Sequence, residues 1–395
     1  MDLADRMARL GNETAFDVLA KATELERQGR TVVHLEIGEP DFATPEHIVQ
    51  AGIEALLSGA THYTPSAGLP QLREAIADDA GTRRGIDTTP DEVVVTPGAK
   101  PVMFFALLAL VEAGDEVLYP NPGFPIYESL INFLDARAVP LPLLEERAFA
   151  FDPDQLASLV NDRTKLIILN SPHNPTGGVL DRAAIEEVAR LALLHDCWIL
   201  SDEIYSRLLY DGGHLSVAAL PGLRERTIIL DGFSKTYAMT GWRLGYGIMP
   251  ELLAGHVAKL MTNSNSCTAT FTQLAGVAAL RGPQKPVDAM VVEFHERRDL
   301  VVDGLNDIPG LSCTTPSGAF YAFPNVTEVC ADAEDFAGYL LQEHGVATLS
   351  GTGFGRYGQG YLRISYANSQ ANLREALSRI RHAVKDYPAR RKVSG

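Results

Sequence analysis

Short apolar runs rich in β-branched residues recur through the first two thirds of the chain, each closed by polar residues or glycine. They read Glu92-Val-Val-Val-Thr96, Glu116-Val-Leu-Tyr119, Lys165-Leu-Ile-Ile-Leu169, Cys197-Trp-Ile-Leu200 and Thr227-Ile-Ile-Leu230. Unbroken apolar runs of this length suit strands buried on both faces, where no position needs to meet water. Between them the period changes. Pro101 to Val111 is apolar nearly all round and predicts a buried helix. Arg182 to Asp196 sets Ile185, Val188, Ala189 and Ala192 on one face and Arg182, Glu186, Glu187 and Arg190 on the other, the pattern of an amphipathic helix. Strand and helix in alternation predict an α/β fold whose large domain is a mainly parallel sheet sandwiched by helices.

The last third reads differently. Pro283 and Pro286 precede a long helical stretch, Val287 to Asn306, which carries the chain out of the sheet. Ser317 to Phe323 and Gly360 to Tyr366 then read as strands, and Ala371 to Tyr387 as a closing helix. These signals predict a smaller α+β domain completed by the N-terminal arm. The expected division is 46–285 for the large domain, and 1–45 with 286–395 for the small one. Two domains also suit a chain of 395 residues, which is long for a single core.

Charge narrows the class. With 34 basic and 50 acidic residues the net charge is −16, against binding to nucleic acid or an anionic membrane, both of which need a basic surface. The longest apolar run is about half a membrane span. The first sixteen residues scatter their charges and hold no apolar core, so no signal peptide is expected. Cys197, Cys267, Cys313 and Cys330 lie far apart and form no C-x-x-C, which argues against a zinc site or a disulfide framework. A cytoplasmic enzyme without a metal is the expectation.

In an open parallel sheet, ligands bind beyond the carboxyl ends of the strands. After the five predicted strands come Thr96-Pro-Gly98-Ala99-Lys100, Pro120 to Tyr127 with Phe124, Asn170-Ser-Pro-His-Asn174, Ser201-Asp202-Glu203-Ile-Tyr205, and Asp231-Gly-Phe-Ser234-Lys235. One rim thus gathers a helix N-terminus, an aromatic ring, an amide, a carboxylate, a phenol and an amine. Pyridoxal phosphate offers partners for all of them: an aldehyde for a lysine, a ring nitrogen for a carboxylate, a phenolate oxygen, a flat ring face and a dianionic phosphate. Gly353-Phe-Gly355-Arg-Tyr-Gly358 matches G-x-G-x-x-G, but a strand pattern and not a helix follows it, so a nucleotide site is not expected there.

With these groups in place the chain resembles the class I and II aminotransferases of pyridoxal-phosphate fold type I. The resemblance rests on Ser-Pro-His-Asn174-Pro-Thr-Gly, Ser-Asp202-Glu-Ile-Tyr205 and Ser234-Lys235-Thr-Tyr-Ala-Met-Thr-Gly-Trp-Arg243-Leu-Gly245. It runs from Leu35-Glu-Ile-Gly38 to Leu362-Arg363-Ile-Ser. It implies pyridoxal 5′-phosphate as cofactor and Lys235 as the Schiff-base lysine. Asp202 is then the partner of the ring nitrogen, Asn174 and Tyr205 those of the phenolate oxygen, and Phe124 the stacking ring. The phosphate falls to the helix N-terminus at Gly98, Ala99 and Lys100, with Ser234 and Arg243. Tyr63 is implied to reach the phosphate of the neighbouring subunit, which makes the active unit a homodimer. Arg363 is the clamp for a substrate α-carboxylate, because a planar guanidinium binds carboxylate at two points; Gly38 is a backbone contact to the same group.

Lys235, Asp202 and Tyr205 are the expected catalytic residues. The implied activity is transfer of an amino group between an L-amino acid and a 2-oxo acid by a two-half-reaction Schiff-base route, with glutamate and 2-oxoglutarate as one pair. A lyase or cyclase on the same fold, or a ligand-binding protein without catalysis, are the alternatives, since a fold does not fix a reaction. The preferred side chain stays open among acidic, neutral and aromatic. A dicarboxylate needs a second cation, for which Lys100 or a partner arginine is a candidate.

Overall fold

The computed structural model describes residues 3–393, with side chains as far as Tyr387. Residues 1–2 and 394–395, which the expected small domain includes, lie outside the described residues. In chain order the strands are β1 (Val33–His34), β2 (Val93–Thr96), β3 (Glu116–Asn121), β4 (Arg137–Pro142), β5 (Thr164–Asn170), β6 (Trp198–Asp202), β7 (Thr227–Gly232) and β8 (Gly245–Ile248). They continue with β9 (Tyr321–Ala322), β10 (Val346–Ala347), β11 (Leu349–Ser350) and β12 (Leu362–Ser365).

A seven-stranded sheet has the order β2-β8-β7-β6-β5-β3-β4. β4, β3, β5, β6 and β7 pair in parallel, and β8 lies antiparallel between β7 and β2. The helix–sheet–helix sandwich follows from the two-residue period of the central strands. Leu166 and Ile168 of β5 join a cluster with Val102, Phe105 and Ala106 of the helix Lys100–Leu110. The intervening Ile167 and Leu169 join another with Ile185, Val188 and Ala192 of the helix Arg182–Leu194. Both faces of β5 are therefore dry, as the unbroken apolar run requires.

Two strands escape the apolar pattern. β4 contains Pro140 and Pro142, each without a backbone donor, and is tolerated because it stands at the sheet edge. β8 reads Gly-Tyr-Gly-Ile. A Cβ on Gly247 would meet a Val102 methyl at 2.7 Å, and one on Gly245 would strike the Gly98–Ala99 backbone. Its missing side chains let the helix Lys100–Leu110 and the loop before it settle against the sheet.

The helix Lys285–Asn306 leads to a smaller layer. There β11, β12 and β9 form an antiparallel sheet, and β1 of the N-terminal arm pairs with β10. That pairing supports assigning 1–45 to the small domain with 286–395, and 46–285 to the large one, which we keep as our proposed division. Among the described residues no helix is long and apolar enough to cross a membrane.

Candidate active site

The carboxyl ends of β3, β5, β6 and β7 open on one rim, and the small layer faces it. Between them lies a cavity of about 520 Å³ whose walls include Gly38, Phe124, Asn174, Asp202, Lys235 and Arg363. The rim motifs of the large sheet and the arginine of the small one thus meet in one space.

Lys235 follows β7 and is half-buried. Its Nζ donates to the Gly38 carbonyl and lies 5.8 Å from the centre of the Phe320 ring. Burial lowers its pKa to about 8, because an ammonium loses hydration there; Glu39 opposes the shift and Arg363 adds to it. Asp202 closes β6. Its Oδ2 accepts the Tyr127 hydroxyl at 2.6 Å, and its Oδ1 accepts the Ile204 N–H at 3.3 Å. Burial raises this carboxyl to about 6, with the Tyr127 hydrogen bond holding it back.

Arg363 enters from β12, 4% exposed. Nη1 donates to Asn174 Oδ1 at 3.3 Å and Nη2 to the Glu36 carbonyl, while the guanidinium stands 4.7 Å from the Tyr321 ring and 5.1 Å from that of Phe354. Its Nε is buried with no partner. Asn174 is fixed by its own N–H, which donates to Asn170 Oδ1 at 2.9 Å. Tyr205 is buried, with its hydroxyl 2.7 Å from that of Tyr321.

At the other end of the cavity Gly98 has φ +88°. A Cβ there would run into the Arg243 guanidinium, so glycine lets that cation rest against the N-terminus of the helix Lys100–Leu110. Arg243 itself has φ +54°, uncommon for a residue with a side chain and a frequent mark of a functional turn. Its Nη1 donates to the Thr240 carbonyl at 2.7 Å. Ser234 and Ala99 line the same wall. Phe124 packs edge-to-face on Tyr127, with ring centres 5.7 Å apart.

Two expected residues sit less simply. The ammonium of Lys100 turns to Glu13, 2.6 Å away, and over the Phe124 ring at 5.1 Å. Tyr63 is 87% exposed and outside the cavity wall. Three contacts are set by the fold and by no local motif. Tyr127 holds Asp202, Tyr321 holds Tyr205 and covers Arg363, and Glu13 holds Lys100. Tyr321 also accounts for Gly38, since a Cβ at that position would collide with its hydroxyl.

These features fit pyridoxal phosphate. Among the described residues, the buried carboxylate of Asp202 pairs with no cation, Arg363 pairs with no carboxylate, burial lowers the pKa of the Lys235 amine, and a cation faces a helix N-terminus beside a glycine. Fold and cavity together fit a pyridoxal-phosphate enzyme of fold type I.

The model of the family described as "Aminotransferase class I and II" matches residues 30–380. The chain is 38% identical over 390 residues to an aspartate aminotransferase of Musicola paradisiaca, covering 98% of each protein. It is 38% identical over 390 residues to aromatic-amino-acid aminotransferase 2 of Thermococcus litoralis, covering 98% of this chain and 99% of that protein. The solved structure of the Thermus thermophilus aspartate aminotransferase with maleate superposes with a TM-score of 0.92 at 38% identity, over 97% of this chain and all of that one. The chain belongs to the class I and II aminotransferase family and is a pyridoxal-phosphate-dependent transferase.

Proposed function

We propose that the protein moves an amino group between an L-amino acid and a 2-oxo acid in two half-reactions, with glutamate and 2-oxoglutarate as one pair. The observation that carries this reading is the convergence of Lys235, Asp202 and Arg363 on one cavity, none joined to an opposite charge among the described residues. Bound pyridoxal phosphate supplies an aldehyde carbon and an electron-withdrawing ring that make the substrate's α-proton removable.

Lys235 Nζ would hold the aldehyde carbon until the amine of a substrate takes its place there, and the lysine amine so released would be the base that takes the α-proton. In the cofactor-free site burial already lowers that amine to about 8, the direction a base requires. Asp202 would hold the ring nitrogen in its protonated form, with Tyr127 aiming the carboxylate. Asn174 and Tyr205 would take the phenolate oxygen and Phe124 the ring face. Ser234, Arg243 and the N–H groups at Gly98, Ala99 and Lys100 would take the phosphate, joined by Tyr63 of a second subunit in a homodimer. The exposure of Tyr63 supports that role. Arg363 would clamp the α-carboxylate, oriented by Asn174, with the Gly38 backbone beside it. Cys197, Cys267 and Cys313 are free thiols, which supports a reducing, cytoplasmic setting.

The test is a half-reaction screen. Protein loaded with pyridoxal phosphate is mixed with single amino acids while the absorbance of the lysine-bound cofactor is followed, and 2-oxoglutarate is then added. Loss of the band with an amino acid and its return with 2-oxoglutarate are expected. A band that no amino acid moves, or that 2-oxoglutarate fails to restore, overturns the reading.

A further inference from the structure

Among the described residues, the four cations on the cavity wall are Lys100, Lys235, Arg243 and Arg363. On the function proposed above, amine chemistry, phosphate and α-carboxylate occupy the last three. Among this chain's own described residues, Lys100 is then the remaining cation for a second carboxylate, and it is already engaged. Glu13, the residue before the helix Thr14–Arg27 of the N-terminal arm, reaches across 87 positions of sequence to place Oε2 2.6 Å from Lys100 Nζ. Glu13 is 22% exposed and Lys100 50%, so the pair sits at the cavity mouth and not in the core. Beside it the wall is apolar: Ala15, Phe16 and Ile37. Glu39, another carboxylate of this wall, accepts the Thr240 hydroxyl at 2.9 Å and leaves Lys100 to Glu13.

We propose that Glu13 is a specificity-determining residue, which by holding Lys100 favours amino acids with neutral aliphatic or aromatic side chains over acidic ones. A neutral side chain meets apolar walls and a charge-neutral pair. An acidic side chain has to draw Lys100 away from Glu13 and then lies beside that freed carboxylate, a like-charge contact. Half-exposed ion pairs are weak, so Lys100 changes partner and acidic substrates are disfavoured without being excluded. Both charges lie within electrostatic reach of Lys235, with opposite signs, as expected for a pair that shares the reaction space.

The experiment compares kcat/KM for glutamate and aspartate with kcat/KM for leucine and phenylalanine in wild type, Glu13→Gln, Lys100→Gln and the double variant. Glu13→Gln is expected to raise the acidic-to-neutral ratio about tenfold. Lys100→Gln lowers the ratio, and the double variant loses the gain because the freed cation is gone. A ratio that Glu13→Gln leaves unmoved, or a gain that survives in the double variant, overturns the proposal. Bound-cofactor absorbance and the urea midpoint of each variant separate misfolding from altered preference. If the wild type transaminates no amino acid, the function proposed above fails; if it turns over and the ratio does not respond, only the role of Glu13 fails.

Discussion

Asp202 and Glu203 are consecutive carboxylates at the end of β6, so they leave the backbone on opposite sides and meet opposite surroundings. Glu203 is fully paired. It accepts Arg84 Nε at 2.6 Å, Ser201 Oγ at 2.9 Å and Ser216 Oγ at 2.6 Å, and lies 3.0 Å from His214 Nε2. Arg84 also binds Asp231, which accepts the Tyr246 hydroxyl at 3.2 Å. Against the cost of burial, His214 and Arg84 hold Glu203 well below the usual carboxylate range. Among the described residues Asp202 has only Tyr127 and a backbone N–H, and burial raises it to about 6. A buried charge is expensive unless paired. The paired cluster therefore reads as structure, and the unpaired one as a place kept for a ligand's charge.

Substitutions on either side of β6 test that contrast. The largest effect is expected for Lys235→Ala. It should lower turnover by about 10⁴-fold, the upper range for a positioned proton-transfer group, and abolish the absorbance of lysine-bound cofactor; turnover within about tenfold of wild type would break the assignment. Arg84→Ala leaves Glu203 and Asp231 buried without a cation and should cost about 3–5 kcal/mol in urea unfolding. An unchanged midpoint would show that the paired cluster is not structural. Asp202→Asn should lower kcat/KM by roughly ten- to a hundredfold, the worth of a charge-assisted hydrogen bond of about 1.5–3 kcal/mol, with little change in urea midpoint. Arg363→Lys keeps the charge but loses the two-point fork, so KM for the amino acid should rise about tenfold.

The smallest effect concerns pH in protein freed of cofactor. Lys235 titrates near 8 when folded and near its ordinary 10.5 when unfolded, so between these values the unfolded chain binds more protons. Stability should therefore rise as pH climbs through that window. Lys235→Met should flatten the slope in urea titrations, and an identical slope in both proteins would contradict the shift.

Much of the scaffold was legible because burial writes itself locally. Runs such as Lys165 to Leu169 mark a strand with two dry faces, and the structure makes them β5, with Ile167 and Ile168 in different clusters. β4 and β8 were hidden, since prolines and glycines carry no apolar signature and the strands exist through their neighbours. The rim residues were legible as motifs following strands. Tyr127, Tyr321 and Glu13 were not, because each matters through a partner 75, 116 or 87 positions away.

The sequence by itself determined the class of fold, the family, which amine and carboxylate stand at strand ends and which guanidinium stands on a strand, because strand burial and short motifs are properties of neighbouring residues. Only the tertiary structure decided which of those charges are cancelled and which stay open. Electrostatic pairing depends on distance in space: Arg84 silences Glu203, nothing cationic reaches Asp202 among the described residues, and Glu13 holds Lys100 at the mouth of the cavity.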